Sequence, residues 1–172
     1  MNFFQKIMFR KEMKKHINRP LDINEILSRE TDTNVVVDTY EFFMRQCQWN
    51  IDDRFFPCIK CFLLCVLYDG EIANGGISQF LTNSSGNHAH QTADALHIIG
   101  AFDAERLLRK SFTLFDDGKV PEEENVRNRT LYEISETDTM LEQLDLESFN
   151  TDIHSYCYQY LMDNKNLFLA GM

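Results

Sequence analysis

The chain has 172 residues, of which 44% are hydrophobic, and a formal net charge of −10 at pH 7. Only 7 Gly and 3 Pro are present, which suits one compact domain and argues against disorder and against turn-rich β architectures. The acidity argues against direct binding to nucleic acid or membrane phosphates, and no apolar run reaches the roughly 18 residues that a membrane-spanning helix needs.

The charge is divided unevenly along the chain. Residues 1–20 carry a balance of +5, and residues 21–172 carry −15. Apolar residues alternate with the basic ones at helical spacing as far as Pro20, which predicts a basic amphipathic N-terminal helix or arm followed by an acidic helical domain. The arm is interpreted either as a docked terminal helix or as a segment that binds a partner or a membrane surface.

The central part of the chain carries the clearest helical signals. Apolar spacing predicts a helix over 36–47. The segment 57–72 is apolar on almost all sides and begins with proline, so its length and its start favour a buried central helix over a buried strand. Two glycine-centred turns follow, at 74–76 and 83–86, and each is expected to use a residue with positive φ.

The C-terminal half is predicted to be helical as well. We expect a helix over 89–99 ended by a left-handed Gly100, and a further helix over 103–115 with Asp103 as its N-cap. An exposed acidic loop over 116–129, a weaker helix over 131–144 and an amphipathic face from Leu146 to Tyr160 complete the pattern. The prediction is an all-α fold: one compact domain of about seven or eight helices.

Two groups of residues have spacings typical of catalytic or metal sites. Cysteines at 58, 61 and 65 share a helix face, and Cys157 could complete four ligands, but small buried hydrophobes would follow the same pattern. The odd number of five cysteines indicates reduced thiols of a cytoplasmic protein. His90, Asp94 and His97 also share a face, without a nucleophile or phosphate-binding motif beside them. We therefore predict no catalytic residues, cofactor or metal, and keep a metal-dependent hydrolase as the weaker alternative.

Acidic residues are concentrated in the last third of the chain. Residues 111–172 contain thirteen Asp or Glu against four Lys or Arg. Like charges one helical turn apart destabilise a helix, so their repetition suggests that these acids have a function. The two interpretations are a surface that binds a partner protein and a face that is only solvated. The candidate surface residues are Asp116, Asp117, Glu122, Glu123, Glu124, Glu133, Glu136, Asp138, Glu142 and Asp145.

The segment 69–101 resembles a family of small bacterial proteins named for DNA mimicry. The motif residues are Glu71, Asn74, Gly75, Gly76, Gln79, Asn83 and Gly86, and the similarity continues through Ala93, Leu96 and the helix end at 99–101. The resemblance implies an all-helical fold and a homodimer. For some members it also implies an acidic surface that occupies the DNA-binding face of a transcription factor. The three amides of the motif are expected to have a structural role, because Asn beside Gly is typical of turns.

Two functional hypotheses follow. The first is a non-enzymatic, cytoplasmic, dimeric protein that mimics DNA and binds a basic DNA-binding protein. The second is an adaptor or immunity-type protein that binds another protein without mimicking DNA.

Overall fold

The computed structural model describes residues 21–29, 34–51, 54–135 and 139–171, so the predicted arm over 1–20 lies outside the described residues. Within them the chain is all-α, without a strand, and it forms a single domain, as predicted. The α-helices are α1 (Ile23–Ser28), α2 (Val35–Gln46), α3 (Pro57–Thr82), α4 (Ala89–Ile98), α5 (Phe102–Phe112), α6 (Glu124–Ser135), α7 (Met140–Ser148), α8 (Ile153–Asp163) and α9 (Lys165–Ala170). The described part has nine helices, slightly more than the seven or eight predicted. Helices α1 and α9 have six residues each, which is too short for a repeating apolar pattern to reveal them in the sequence.

Helix α3 forms the centre of the molecule. Pro57 occupies its first turn, where a missing N–H costs nothing, and side chains on all sides of its first half are buried. Helices α4, α7 and α8 pack against it. The predicted buried central helix is therefore confirmed, but it continues beyond residue 72 to Thr82.

A kink at Gly75 and Gly76 divides α3. Gly75 is extended, and Gly76 has φ +76°, a left-handed conformation that favours glycine. After the kink the backbone N–H of Ser78 donates to Asp145 Oδ1 on α7 at 2.8 Å, and the Ser78 hydroxyl donates to the other oxygen of that carboxylate. The positive φ predicted for the first turn is confirmed. The backbone bends there and the helix restarts, capped by a side chain from another helix.

The second glycine turn differs from the prediction. After α3 the chain forms a 3-10 helix, Ser84–His88, and the positive-φ glycines of the described residues are Gly76, Gly100 and Gly118. Gly86 is not among them. A Cβ on Gly86 would lie 2.7 Å from Nε of Arg127 and 2.8 Å from the carbonyl oxygen of Leu81. Space for a buried arginine therefore accounts for this glycine, in place of backbone strain.

Three predictions for the later helices need correction or refinement. Gly100 has φ +84°, as predicted, but α5 begins at Phe102, so Asp103 lies in its first turn and is not its N-cap. The predicted loop over 116–129 ends earlier, because α6 begins at Glu124.

The apolar face predicted from Leu146 to Tyr160 is interrupted between α7 and α8. Asp152 caps α8 by accepting the N–H of Ser155, and the side chains of Leu146, Phe149 and Tyr156 are exposed. The predicted face is therefore divided between two separate helices and is not one continuous helical pattern.

Candidate partner-binding surface

Seven of the ten predicted surface acids lie at exposed positions. Glu136 and Asp138 fall outside the described residues, and Asp145 is half-buried. The exposed seven are Asp116, Asp117, Glu122, Glu123, Glu124, Glu133 and Glu142. Five of them lie on one segment, residues 116–124, which we call the acidic loop; the other two lie on α6 and α7.

None of these seven carboxylates takes part in an ion pair within the described residues, whereas several acids elsewhere on the molecule do. The paired acids include Asp38 with Arg29 at 2.7 Å, Asp94 with Arg109 at 2.6 Å, Asp103 with Arg106 at 3.6 Å, and Glu41 with Arg45. An exposed carboxylate without an ion pair stays hydrated and is screened by mobile ions. The charge of Glu124 acts on the nearby Arg127 and that of Glu122 on His88, but no direct ion pair within the described residues engages these acids. They can therefore meet cations of another molecule.

The middle of the acidic loop is tied to helix α4. The N–H of Val120 donates to Nε2 of His90 at 3.4 Å, and the side chain of Val120 is buried. The His90 ring packs in turn on Phe112, with the ring centroids 4.5 Å apart. Earlier in the loop, Asp117 has φ 54°, a left-handed conformation that aspartate tolerates better than most residues. The loop thus has a fixed backbone path between α5 and α6.

A buried arginine holds the end of the acidic loop. Arg127 on α6 has no exposed surface, and its guanidinium donates to backbone carbonyls of two distant segments. Nη1 donates to Pro121 at 2.6 Å and to Glu122 at 3.1 Å; Nη2 donates to Asn83 at 2.7 Å, and Nε donates to Leu81. Burial lowers the pKa of the guanidinium from its ordinary value. The acidic loop is thereby joined to the end of α3.

The sequence does not predict a functional role for Arg127, because this residue stands in a polar stretch that is predicted as loop. A signal was present nonetheless. Arg127 precedes Leu131 by four residues and Ile134 by seven, so it continues the inward face of α6, where Leu131 is buried. A lone arginine at a core position of a helical pattern indicates a buried cation held by carbonyls or carboxylates.

The residues of the 69–101 motif surround this anchor. Asn83 supplies a carbonyl to Arg127, and Gly86 supplies the space for it. The Nδ2 of Asn83 and the hydroxyl of Ser85 donate to the two oxygens of Glu71, at 2.9 and 2.8 Å. Asn74, at the kink, is exposed. A Cβ on Gly75 would lie 2.9 Å from the Cβ of Gln79, so the motif packs closely there as well.

Asp145 differs from the rest of the predicted acidic set. Both oxygens of its carboxylate accept hydrogen bonds from Ser78, and the side chain is half-buried against the kink of α3. A carboxylate that caps a helix is already engaged by its donors, so we leave Asp145 out of the candidate surface.

The cysteines belong to the core. Cys61, Cys65 and Cys157 are buried, Cys58 is half-buried, and all are free thiols. Burial raises the pKa of the Cys65 thiol well above its ordinary value, which favours the protonated form. Within the described residues, no three His, Cys, Asp or Glu side chains are placed to hold a metal ion.

The histidine group of α4 is dispersed. His90, Asp94 and His97 share a helix but contact different groups. Their partners are the N–H of Val120, the guanidinium of Arg109 and the carboxylate of Glu105, in that order. Asp94 and His97 are linked through the Arg109–Glu105 pair and line one shallow surface depression with it, whereas His90 contacts Val120 and does not line that depression. The three side chains therefore do not meet at one site.

Comparison with known protein families identifies a match over the helices that build this surface. A family model described as DMP19-like protein matches residues 53–164, a span that contains all of α3 to α8. A search of curated proteins and a search of solved structures gave no match. No helix among the described residues is long and apolar enough to span a bilayer. The matched span is more than half of the chain and contains the motif, Arg127 and the acidic loop, so the chain belongs to the DMP19-like family of DNA-mimic proteins.

Proposed function

We propose that this protein binds a basic nucleic-acid-binding protein in place of DNA, in the cytoplasm and without performing chemistry. The observation that carries the proposal is the set of seven exposed carboxylates that have no ion pair in the described chain, five of them on the anchored acidic loop. Membership of the DMP19-like family supports it independently.

The physical basis is the recognition of regularly placed negative charge. Duplex DNA carries one charge per roughly 1.7 Å of its axis, and proteins that bind it present lysine and arginine at matching positions. Carboxylates held on a fixed backbone present such charges without the entropic cost of ordering a loop upon binding. Arg127 and His90 supply this order around Glu122. His90 accepts the N–H of Val120, and Arg127 donates to the carbonyls of Pro121 and Glu122.

The proposal is tested by capture at low salt followed by competition. The full chain, immobilised, is incubated with a bacterial extract at about 50 mM salt, and bound proteins are eluted with increasing salt or with duplex DNA. We expect a basic nucleic-acid-binding protein that duplex DNA displaces and that about 200 mM salt weakens strongly. A partner that remains bound in saturating DNA would refute the mimicry.

A second candidate function is binding of another protein, or of a second copy of this chain, without mimicry. It is supported by the exposed large apolar side chains near the junction of α7 and α8. They are Leu146, Phe149 and Tyr156. Such an apolar contact is insensitive to salt and to DNA, so the same competition separates the two candidate functions. Light scattering of the purified protein measures whether it forms the expected homodimer.

A further inference from the structure

A cleft of about 290 Å³ lies between the end of α2, the middle of α3 and the 3-10 helix before α4. Its lining combines aromatic and polar side chains, chiefly Tyr40, Trp49, Glu71, Ser84, Asn87 and His88. The volume is at the low end for ligand sites and matches one planar group on a short stem, which is smaller than a nucleotide or a drug-sized ligand.

Trp49 is held at the rim of the cleft by an unfavourable backbone. It is the one tryptophan of the sequence, and 60% of its surface is exposed. Gln48 and Trp49 have φ values of 53° and 65°, and the N–H of Trp49 donates to the carbonyl of Met44 at 2.8 Å. Helix termination accounts for one left-handed residue, but a second one bearing a bulky aromatic side chain is uncommon. Backbone of this kind is typical of binding sites.

Glu71 contributes a negative charge that no cation of the described residues pairs with. Each of its oxygens accepts one neutral donor, from Asn83 or from Ser85, which leaves further lone pairs open. None of the ion pairs of the described residues involves Glu71. The Tyr40 ring lies nearby: burial, then Cys47 and Glu71, raise the pKa of its hydroxyl to about 12.

Among the residues that the structure describes, no lysine or arginine lines the cleft. The charge of Lys60 acts on His88, but Lys60 lines a separate depression with Pro57. Burial lowers the pKa of His88 from its ordinary value, which favours the neutral imidazole. The site therefore combines an exposed indole, a half-buried phenol and a carboxylate without an ion pair among the described residues.

We propose that this cleft binds one guanidinium group, stacked on Trp49 and hydrogen-bonded to Glu71. A guanidinium is planar, stacks on aromatic faces and offers several N–H donors in one plane to a carboxylate and neighbouring hydroxyls. An ammonium has no planar face and is more strongly hydrated, so it fits this lining less well. The group could belong to an arginine of a bound protein or to a small free guanidine. The inference stands apart from the proposed function, because neither requires the other.

Trp49 allows a direct test, because its fluorescence reports on this cleft alone. The full chain is titrated with Nα-acetyl-arginine amide, with the neutral isostere Nα-acetyl-citrulline amide and with Nα-acetyl-lysine amide. We expect a saturable fluorescence change with the arginine compound, binding at least about tenfold weaker for lysine, and none for citrulline. Equal responses to arginine and citrulline, or tighter binding of lysine, would overturn the proposal.

Two substitutions with a matched control identify the residues responsible. Glu71→Gln removes the charge and keeps an acceptor, and should weaken binding of the arginine compound at least about tenfold. Glu147→Gln, an exposed charge on α7, should leave it unchanged. If Glu71→Gln unfolds, as judged by circular dichroism, Trp49→Asn serves instead, since asparagine tolerates the left-handed backbone; calorimetry should then show weakened binding. Unchanged binding in a folded variant would contradict the assignment.

The source of the guanidinium is resolved by two further probes. Agmatine represents a free guanidine, and a capped pentapeptide with arginine at its centre represents a protein side chain. Tighter binding of the peptide supports a protein side chain, and tighter binding of agmatine supports a free solute. Failure of both probes to compete with the arginine compound would overturn the proposal.

Discussion

The buried guanidinium of Arg127 donates to the backbone carbonyl of Asn83 at 2.7 Å, across 44 positions of sequence. The same group donates to Pro121 and Glu122, so one side chain joins the end of α3 to the end of the acidic loop. This contact links the family motif to the acids: the motif itself is uncharged apart from Glu71, but it builds the pocket that Arg127 occupies. A substitution in the scaffold should therefore alter the presentation of the acids.

Replacement of Arg127 should destabilise the fold. Arg127→Lys keeps a positive charge but cannot reach carbonyls in both segments with one ammonium, so buried acceptors lose their donors. We expect the free energy of unfolding to fall by about 3 kcal/mol. Urea denaturation measures it, with the exposed Arg129→Lys as a control that should change it by less than about 0.5 kcal/mol. Equal effects of the two substitutions would contradict the role of Arg127 as an anchor.

Two glycines of α3 should respond in opposite directions to alanine. At Gly76 the backbone is left-handed and an added Cβ would lie 2.5 Å from Oδ1 of Asp145, so Gly76→Ala should cost at least about 2 kcal/mol. At Gly70 a Cβ would meet nothing within 4 Å, so Gly70→Ala should stabilise the helix by about 0.5–1 kcal/mol. Thermal unfolding of the pair tests this. A tolerated Gly76→Ala would show that the kink is not fixed by Asp145.

His88 should make stability depend on pH. Burial lowers its pKa in the folded state, so below the ordinary value near 6.5 the unfolded chain binds the proton more readily. The contribution of His88 is therefore fully present above about pH 7 and is lost as the pH falls through 6.5 toward the lowered folded pKa. The free energy of unfolding of the native chain, minus that of His88→Gln, should decrease between about pH 7.5 and 5. A difference that is constant with pH would exclude this contribution.

Local patterns predicted the scaffold well. The nearly all-apolar run after Pro57 indicates a buried helix by composition, and the glycines at 75 and 76 indicate an irregularity by their conformational freedom. The sequence could not show that the helix resumes after the kink. The donor Ser78 is satisfied by Asp145, 67 positions away, and such a cap leaves no local signal. The same long-range contact accounts for the different environment of Asp145 within the predicted acidic set.

The role of Gly86 and the position of Arg127 illustrate the same limit at the candidate site. Glycine beside asparagine and serine is typical of a positive-φ turn, and a local interpretation had no reason to prefer a steric one. The steric reason is the side chain of Arg127 on α6. The sequence predicts a loop over 116–129, so it gives no indication that this arginine is buried. Exposure of the acids, by contrast, follows from composition alone, because carboxylates without a buried partner remain in water.

The central claim is that the acidic loop, and not the overall charge of the molecule, recognises the partner. The most direct measurement compares two variants that each lose three negative charges, titrated at low salt against the partner that DNA displaces. One changes Glu122, Glu123 and Glu124 to Gln; the other changes the paired acids Glu41 to Gln and Asp94 and Asp103 to Asn. The loop variant should bind at least about tenfold more weakly, with a shallower salt dependence, while the paired-acid variant should stay within about twofold of the native chain. Equal losses in the two variants would contradict the central claim.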